Sequence, residues 1–142
     1  MSYLIPIVMI VASNVFYNLF TKGMPEAANP FAALVVTYLS AAALSFLLLL
    51  MDVRGKSDVL TSFGAVNWVS IGLGVAIFWL ELGYILAFRA GWNISTCSLV
   101  ANIALAVILL FIGMLFFQEK LTGNQFIGIA LCLVGLFFIN RH

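Results

Sequence analysis

From Pro30 to Met51 the chain runs twenty-two residues without a charge, and from Ile94 to Phe117 it does so again for twenty-four. A helix rises about 1.5 Å per residue, so each run reaches roughly the 30 Å of a bilayer's hydrocarbon core. The segment Leu44-Ser45-Phe46-Leu47-Leu48-Leu49-Leu50 has none of the polar–apolar alternation of a half-buried strand. Composition closes the alternative of a water-soluble domain. Hydrophobic residues make up 65% of the 142 and charged residues 8%, against roughly 25% charged in an ordinary soluble domain. There are too few polar side chains to cover an outside in water. In lipid every backbone amide and carbonyl must find its partner inside the protein, which selects helices. The expected fold is an all-α membrane protein.

Punctuation residues divide the chain into five expected transmembrane helices, at about 3–20, 30–51, 66–88, 94–117 and 122–139. Lys22-Gly23-Met24-Pro25 ends the first. Asn29-Pro30 reads as a cap with proline at the first helical position of the second. The polar segment Asp52-Val53-Arg54-Gly55-Lys56-Ser57-Asp58 must reach water, and residues 59–63 are expected to add a short interfacial helix. Trp68 sits near one end of the third span, where indoles commonly lie. Arg89-Ala90-Gly91-Trp92-Asn93 forms a turn, as does Gln118-Glu119-Lys120-Leu121. Thr122 and Gln125 have the spacing of a capping box. The opening Met1-Ser2-Tyr3-Leu4-Ile5-Pro6 has no basic leader, so the first span is expected to be retained. The whole of 1–142 is expected to be a single transmembrane domain.

Several function classes fall away. A net charge of +1 and no basic cluster give no nucleic-acid partner. No phosphate loop, dinucleotide fingerprint or zinc motif is present, so no cofactor and no metal are expected. Nor can a nucleophile, a base and an electrophilic stabiliser be assembled, so the chain is not expected to be an enzyme. Cys97 and Cys132 lie within apolar runs without CxxC spacing and are expected to be buried packing groups.

Orientation is a tie. On the N-terminal side lie Arg54, Lys56 and Lys120; on the opposite side lie Lys22, Arg89 and Arg141. A three-to-three split gives the positive-inside rule nothing to act on. It is what a chain inserting both ways would show, and two antiparallel copies would make ten helices in an inverted arrangement. The expected partner is a second copy, antiparallel; a parallel dimer, a partner subunit and a monomer are the alternatives. On the last span Gly128, Cys132 and Gly135 form a small-residue stripe suited to close helix packing, and Gly72 with Gly74 mark a second such place.

The informative residues are the polar ones inside spans. Glu81 lies about 4 Å from the middle of its span at about 1.5 Å per residue, out of reach of either end. A charged acid there costs at least about 2.5–3.5 kcal/mol. It must line a wet cavity, pair with a partner, or carry a proton part of the time. A carboxyl in that position can exchange a proton for a cationic substrate or serve as a structural hydrogen-bonding acid. Tyr84 shares its helical face. Asn14 with Asn18, and Ser98 with Asn102, are i,i+4 pairs whose polar groups need partners between helices or beside a polar route. Asn14 and Asn102 are the deeper members and the better site candidates. Trp79 and Tyr17 offer aromatic faces to a cation.

The segment Glu119-Lys120-Leu121-Thr122-Gly123-Asn124-Gln125-Phe126-Ile127-Gly128-Ile129-Ala130-Leu131-Cys132-Leu133-Val134-Gly135 resembles the end of an EamA-type repeat of the drug/metabolite transporter superfamily. Upstream, Glu81-Leu82-Gly83-Tyr84-Ile85-Leu86-Ala87-Phe88 is similar to that repeat's third-helix region. Members typically carry two five-helix repeats in one chain, and this sequence resembles one. The resemblance therefore implies half of a ten-helix, inverted-repeat assembly. The related small multidrug-resistance proteins carry an acid in their first helix; here that helix has Asn14 and none. A proline often found in the family's fourth helix is also absent, with Leu105-Ala106-Val107 in its place. The function implied is a small secondary transporter in a bacterial-type inner membrane. Its substrate would be a small metabolite or a cationic or amphipathic compound, its energy source a solute or proton gradient. A membrane scaffold or accessory subunit of a larger complex is the alternative. Substrate and site candidates are Glu81, Tyr84, Asn14, Asn102 and Ser98.

Overall fold

The computed structural model describes residues 4–53, 59–64, 66–116, 118 and 122–139. Arg54, Lys56, Lys120 and Arg141 of the charge tally, and Glu119-Lys120-Leu121 of the turn, lie outside the described residues. The described residues form the helices α1 (Leu4–Lys22), α2 (Pro30–Val53), the five-residue α3 (Val59–Phe63), α4 (Trp68–Arg89), α5 (Ile94–Phe116) and α6 (Gly123–Ile139), joined by turns. Helices α1, α2, α4 and α5 are each long and apolar enough to cross a membrane. Helix α6 is equally apolar in character but has 17 residues, just short of that length.

Local chemistry explains where the helices start. The Asn29 side-chain oxygen accepts the backbone N–H of Phe31 at 2.9 Å and of Ala32 at 3.4 Å. Pro30, the first helical residue, has no N–H to satisfy. Asn67 caps α4 in the same way, accepting from Val69 at 3.0 Å. At the start of α6, Gln125 Oε1 accepts the Thr122 N–H at 2.8 Å. The Gln125 N–H goes to the Thr122 backbone carbonyl at 3.0 Å, so the expected reciprocal box is made with one side chain rather than two. Gly91, between α4 and α5, has φ +96°, a conformation that side chains disfavour.

Polar groups inside α2 are disposed of locally. Thr37, Ser40 and Ser45 each donate a hydroxyl to the carbonyl four residues earlier, at 2.8–3.0 Å. This removes donors that lipid would leave unpaired.

The chain falls into two compact units: Phe20–Ala90, and Met1–Leu19 with Gly91–His142. In the first, α2 packs on α4 through Leu34, Leu82 and Ile85, with Met24, Tyr38 and Phe78 around them. In the second, α5 packs on α6. Few residues are buried overall, and large apolar side chains such as Phe20 and Phe116 are 75% and 78% exposed. Such a surface is at home in hydrocarbon, not in water. The protein is an all-α integral membrane protein.

Two expectations about small residues change. Cys97 is buried, but Cys132 is exposed, because its face of α6 opens on a shallow groove of about 250 Å³ beside α5. A Cβ added at Gly72, Gly74, Gly128 or Gly135 would meet nothing within 4 Å. Among the described residues, nothing closely covers these glycines.

Candidate functional site

In the unit that holds both ends of the chain, a cleft of about 590 Å³ lies between α1 and α5. The two helices make no close packing with each other. Its apolar walls include Val11, Val15 and Leu99; its polar groups are Asn14, Asn18, Ser95, Ser98 and Asn102. None of the residues lining it is charged.

The helical repeat assembles these groups. Asn14 and Asn18 sit one turn apart, and the Asn18 side-chain N–H donates to the Asn14 backbone carbonyl at 2.8 Å and to Asn14 Oδ1 at 2.6 Å. On α5 the Asn102 amide donates to Ser98 Oγ at 3.2 Å. Ser95, Ser98 and Asn102 follow i, i+3, i+7 and so line one stripe. Asn18 is 5% exposed, and its Oδ1 has no hydrogen-bond partner. An unpaired buried acceptor costs about 1–3 kcal/mol, so this oxygen is the cleft's least satisfied group.

Asn14, Ser98 and Asn102, picked out from the sequence, thus come together in one cleft. Ranking by depth favours Asn14 over Asn18, yet Asn18 is the buried residue and Asn14 is exposed. Position along a span says how far a residue is from water; only helix rotation says which face it turns inward. Ser95 was missed, although its i+3 relation to Ser98 was visible.

Glu81 and Tyr84 belong to the other unit, on α4. Glu81 is half-buried, and the Tyr38 phenol of α2 lies close enough to interact with its carboxyl. The phenol oxygen is nevertheless without a partner at full hydrogen-bond geometry. The two are neighbours in electrostatic contact. Tyr84, the aromatic expected beside Glu81, instead tilts against Phe88 with ring centroids 5.9 Å apart. Tyr38 could have been found by depth: it is eight residues into α2 and Glu81 is eight residues from the end of the adjacent α4.

Trp79 is 65% exposed and Tyr17 is half-buried. The cation–aromatic contact that does form is Lys22 Nζ, 5.6 Å from the Phe88 ring centroid. Lys22 also donates to the Phe88 carbonyl at 3.4 Å, and Arg89 donates to the Ala28 carbonyl at 2.6 Å. Both cations thereby bond backbone carbonyls where helix and loop meet.

Among the described residues no group of three His, Cys, Asp or Glu could hold a metal ion, and Cys97 and Cys132 are not joined in a disulfide. One unit therefore offers a solute hydrogen bonds and apolar surface; the other, taken by itself, holds a half-buried carboxyl with a phenol near it. No curated protein and no solved structure matches the chain. The sequence model of the EamA-like transporter family does match, over residues 1–141, and the chain belongs to that family.

Proposed function

We propose that the protein is a small secondary transporter of a bacterial-type inner membrane, moving a small metabolite or a cationic or amphipathic compound. The observation that carries this is the cleft: about 590 Å³ of space with five hydrogen-bonding side chains, set between two otherwise apolar helices. That volume falls within the roughly 300–1,000 Å³ of small-molecule sites. Helices that served only to anchor the chain would gain nothing from a stripe of polar side chains there, or from the unpaired Asn18 acceptor. The family membership supports the same reading. Ser98→Trp fills the cleft from α5 and is expected to slow flux at least about tenfold. Membrane insertion and melting temperature in detergent should stay near wild type. Unchanged flux in a well-inserted variant would remove the cleft from the route.

The working unit of this reading is an antiparallel homodimer of two five-span chains, with α6 as the fifth span. Three features support it: the even charge split, the unpacked separation of α1 from α5, and the open faces of Gly128 and Gly135. Because a Cβ added at Gly128 would meet nothing within 4 Å among the described residues, and the groove beside it leaves room, Gly128→Leu should leave the monomer fold intact. It should weaken self-association at least about tenfold in lipid, since bulk prevents close helix approach. Crosslinking yield at matched protein-to-lipid ratios reads this, and equal yields would show that the stripe makes no contact between copies. The same open faces also suit an accessory subunit. That reading expects obligate co-purification with a larger membrane protein and no flux by the chain alone.

A further inference from the structure

We infer that the cleft between α1 and α5 recognises electrically neutral solutes that carry N–H or O–H donors beside an apolar face. This rests on the transport reading and narrows its substrate class to the uncharged, amphipathic compounds. Two observations carry it. The first is the lining: Asn14, Asn18, Ser95, Ser98 and Asn102 supply the polar groups, and no acid or base is among them. An ion entering such a cleft gives up hydration with no counter-charge to replace it, whereas a neutral solute exchanges water hydrogen bonds for amide and hydroxyl ones. The second is Asn18. Its N–H group is already committed to Asn14, at 2.8 Å to the carbonyl and 2.6 Å to the side-chain oxygen. What it has left is an acceptor, 95% buried with its residue and without a partner. The complement of an unpaired acceptor is a donor.

The terminal torsion of an asparagine is broad and roughly two-fold, so the amide of Asn18, which lines the cleft, can turn toward a bound donor by exchanging its bonds to Asn14 for one to the solute. The hydrophobic stretch of Val11, Val15 and Leu99 then faces the solute's apolar side. Sites built around hydrogen bonds discriminate strongly against analogues that lack the matching group, because the protein's own polar atom is left stranded.

The test uses the protein in lipid nanodiscs and liposomes with two trios matched in size and differing in charge. One is nicotinamide, nicotinate and the N-methylnicotinamidium cation; the other is butyramide, butyrate and butylammonium. Binding is followed by the side-chain amide resonances of Asn18, assigned by their loss in Asn18→Leu, and flux is followed in liposomes. The neutral member of each trio is expected to shift the Asn18 signals and to be preferred at least about tenfold over both ions. Asn18→Asp, which places a carboxylate at the same point, should move that preference toward the cation. If Asn14 or water already satisfies the oxygen, the Asn18 signals stay fixed through the titration and the inference fails. Flux that favours an ion overturns it while leaving the transport reading intact. Neutral binding at Asn18 without flux upholds the inference and counts against transport.

Discussion

Glu81→Gln is expected to insert and assemble as wild type does, and to lose proton-driven flux at least about tenfold, equivalent to about 1.4 kcal/mol or more. The substitution keeps the side chain's volume and one acceptor oxygen while removing the exchangeable proton. Glu81 is the acid well inside a span, half-buried on α4 and beside the Tyr38 phenol of α2. A group kept there purely for packing would tolerate the amide; a group that carries a coupled proton would not. Glu81→Asp should retain part of the pH response, since it keeps the charge and shortens the reach. Tyr38→Phe should give an intermediate loss, because it removes the hydroxyl facing the carboxyl and leaves the ring that helps cover Leu34 and Ile85. The comparison is made in liposomes across about pH 5–9 at fixed membrane potential. Wild-type flux with wild-type pH dependence in Glu81→Gln would reduce Glu81 to a structural acid and leave transport as a uniport through the α1/α5 cleft.

The second large effect concerns orientation. Reporters fused after His142 are expected to give both a cytoplasmic and an external population. The charge tally is three against three: Arg54, Lys56 and Lys120 on one side, Lys22, Arg89 and Arg141 on the other. Lys22 and Arg89 are also held in place, bonded to the carbonyls of Phe88 and Ala28. Two added Lys residues, at Ser57 and Ser62, should tip the balance and drive their side inward. A single population above about 90% in the unaltered chain would exclude two-way insertion on the positive-inside argument, and with it the antiparallel dimer.

Helix chemistry was legible in the sequence wherever it was local. Asn29-Pro30 announced the start of α2 because a capping oxygen and an imide lacking N–H solve the same end problem together. Composition pointed to lipid and the long apolar runs without alternation to helices, and α1, α2, α4 and α5 have the length and apolarity for it. Membership of a transporter family, not an enzyme family, was legible in residues 119–135. What could not be read was rotation and pairing between helices. Asn14 and Asn18 occupy one stripe of α1, and only the neighbouring surfaces decide that Asn18 is the covered one. Tyr84 was chosen for Glu81 because it is near along the same helix, whereas Tyr38 meets it across a helix–helix contact some forty residues away in sequence. Cys132 shows the same limit: an apolar neighbourhood in sequence does not say whether another helix covers it.

Secondary transport by this chain alone is tested most directly by counterflow. The purified protein is reconstituted into liposomes with no other protein, loaded with unlabelled solute from the neutral donor panel, and diluted into a trace of the labelled solute. The expected result is transient accumulation of label against its own gradient, abolished by Ser98→Trp and persisting when the proton gradient is collapsed. Labelled solute that equilibrates no faster than in protein-free liposomes, for every compound in the panel and with the protein shown to be inserted, would contradict transport by this chain alone.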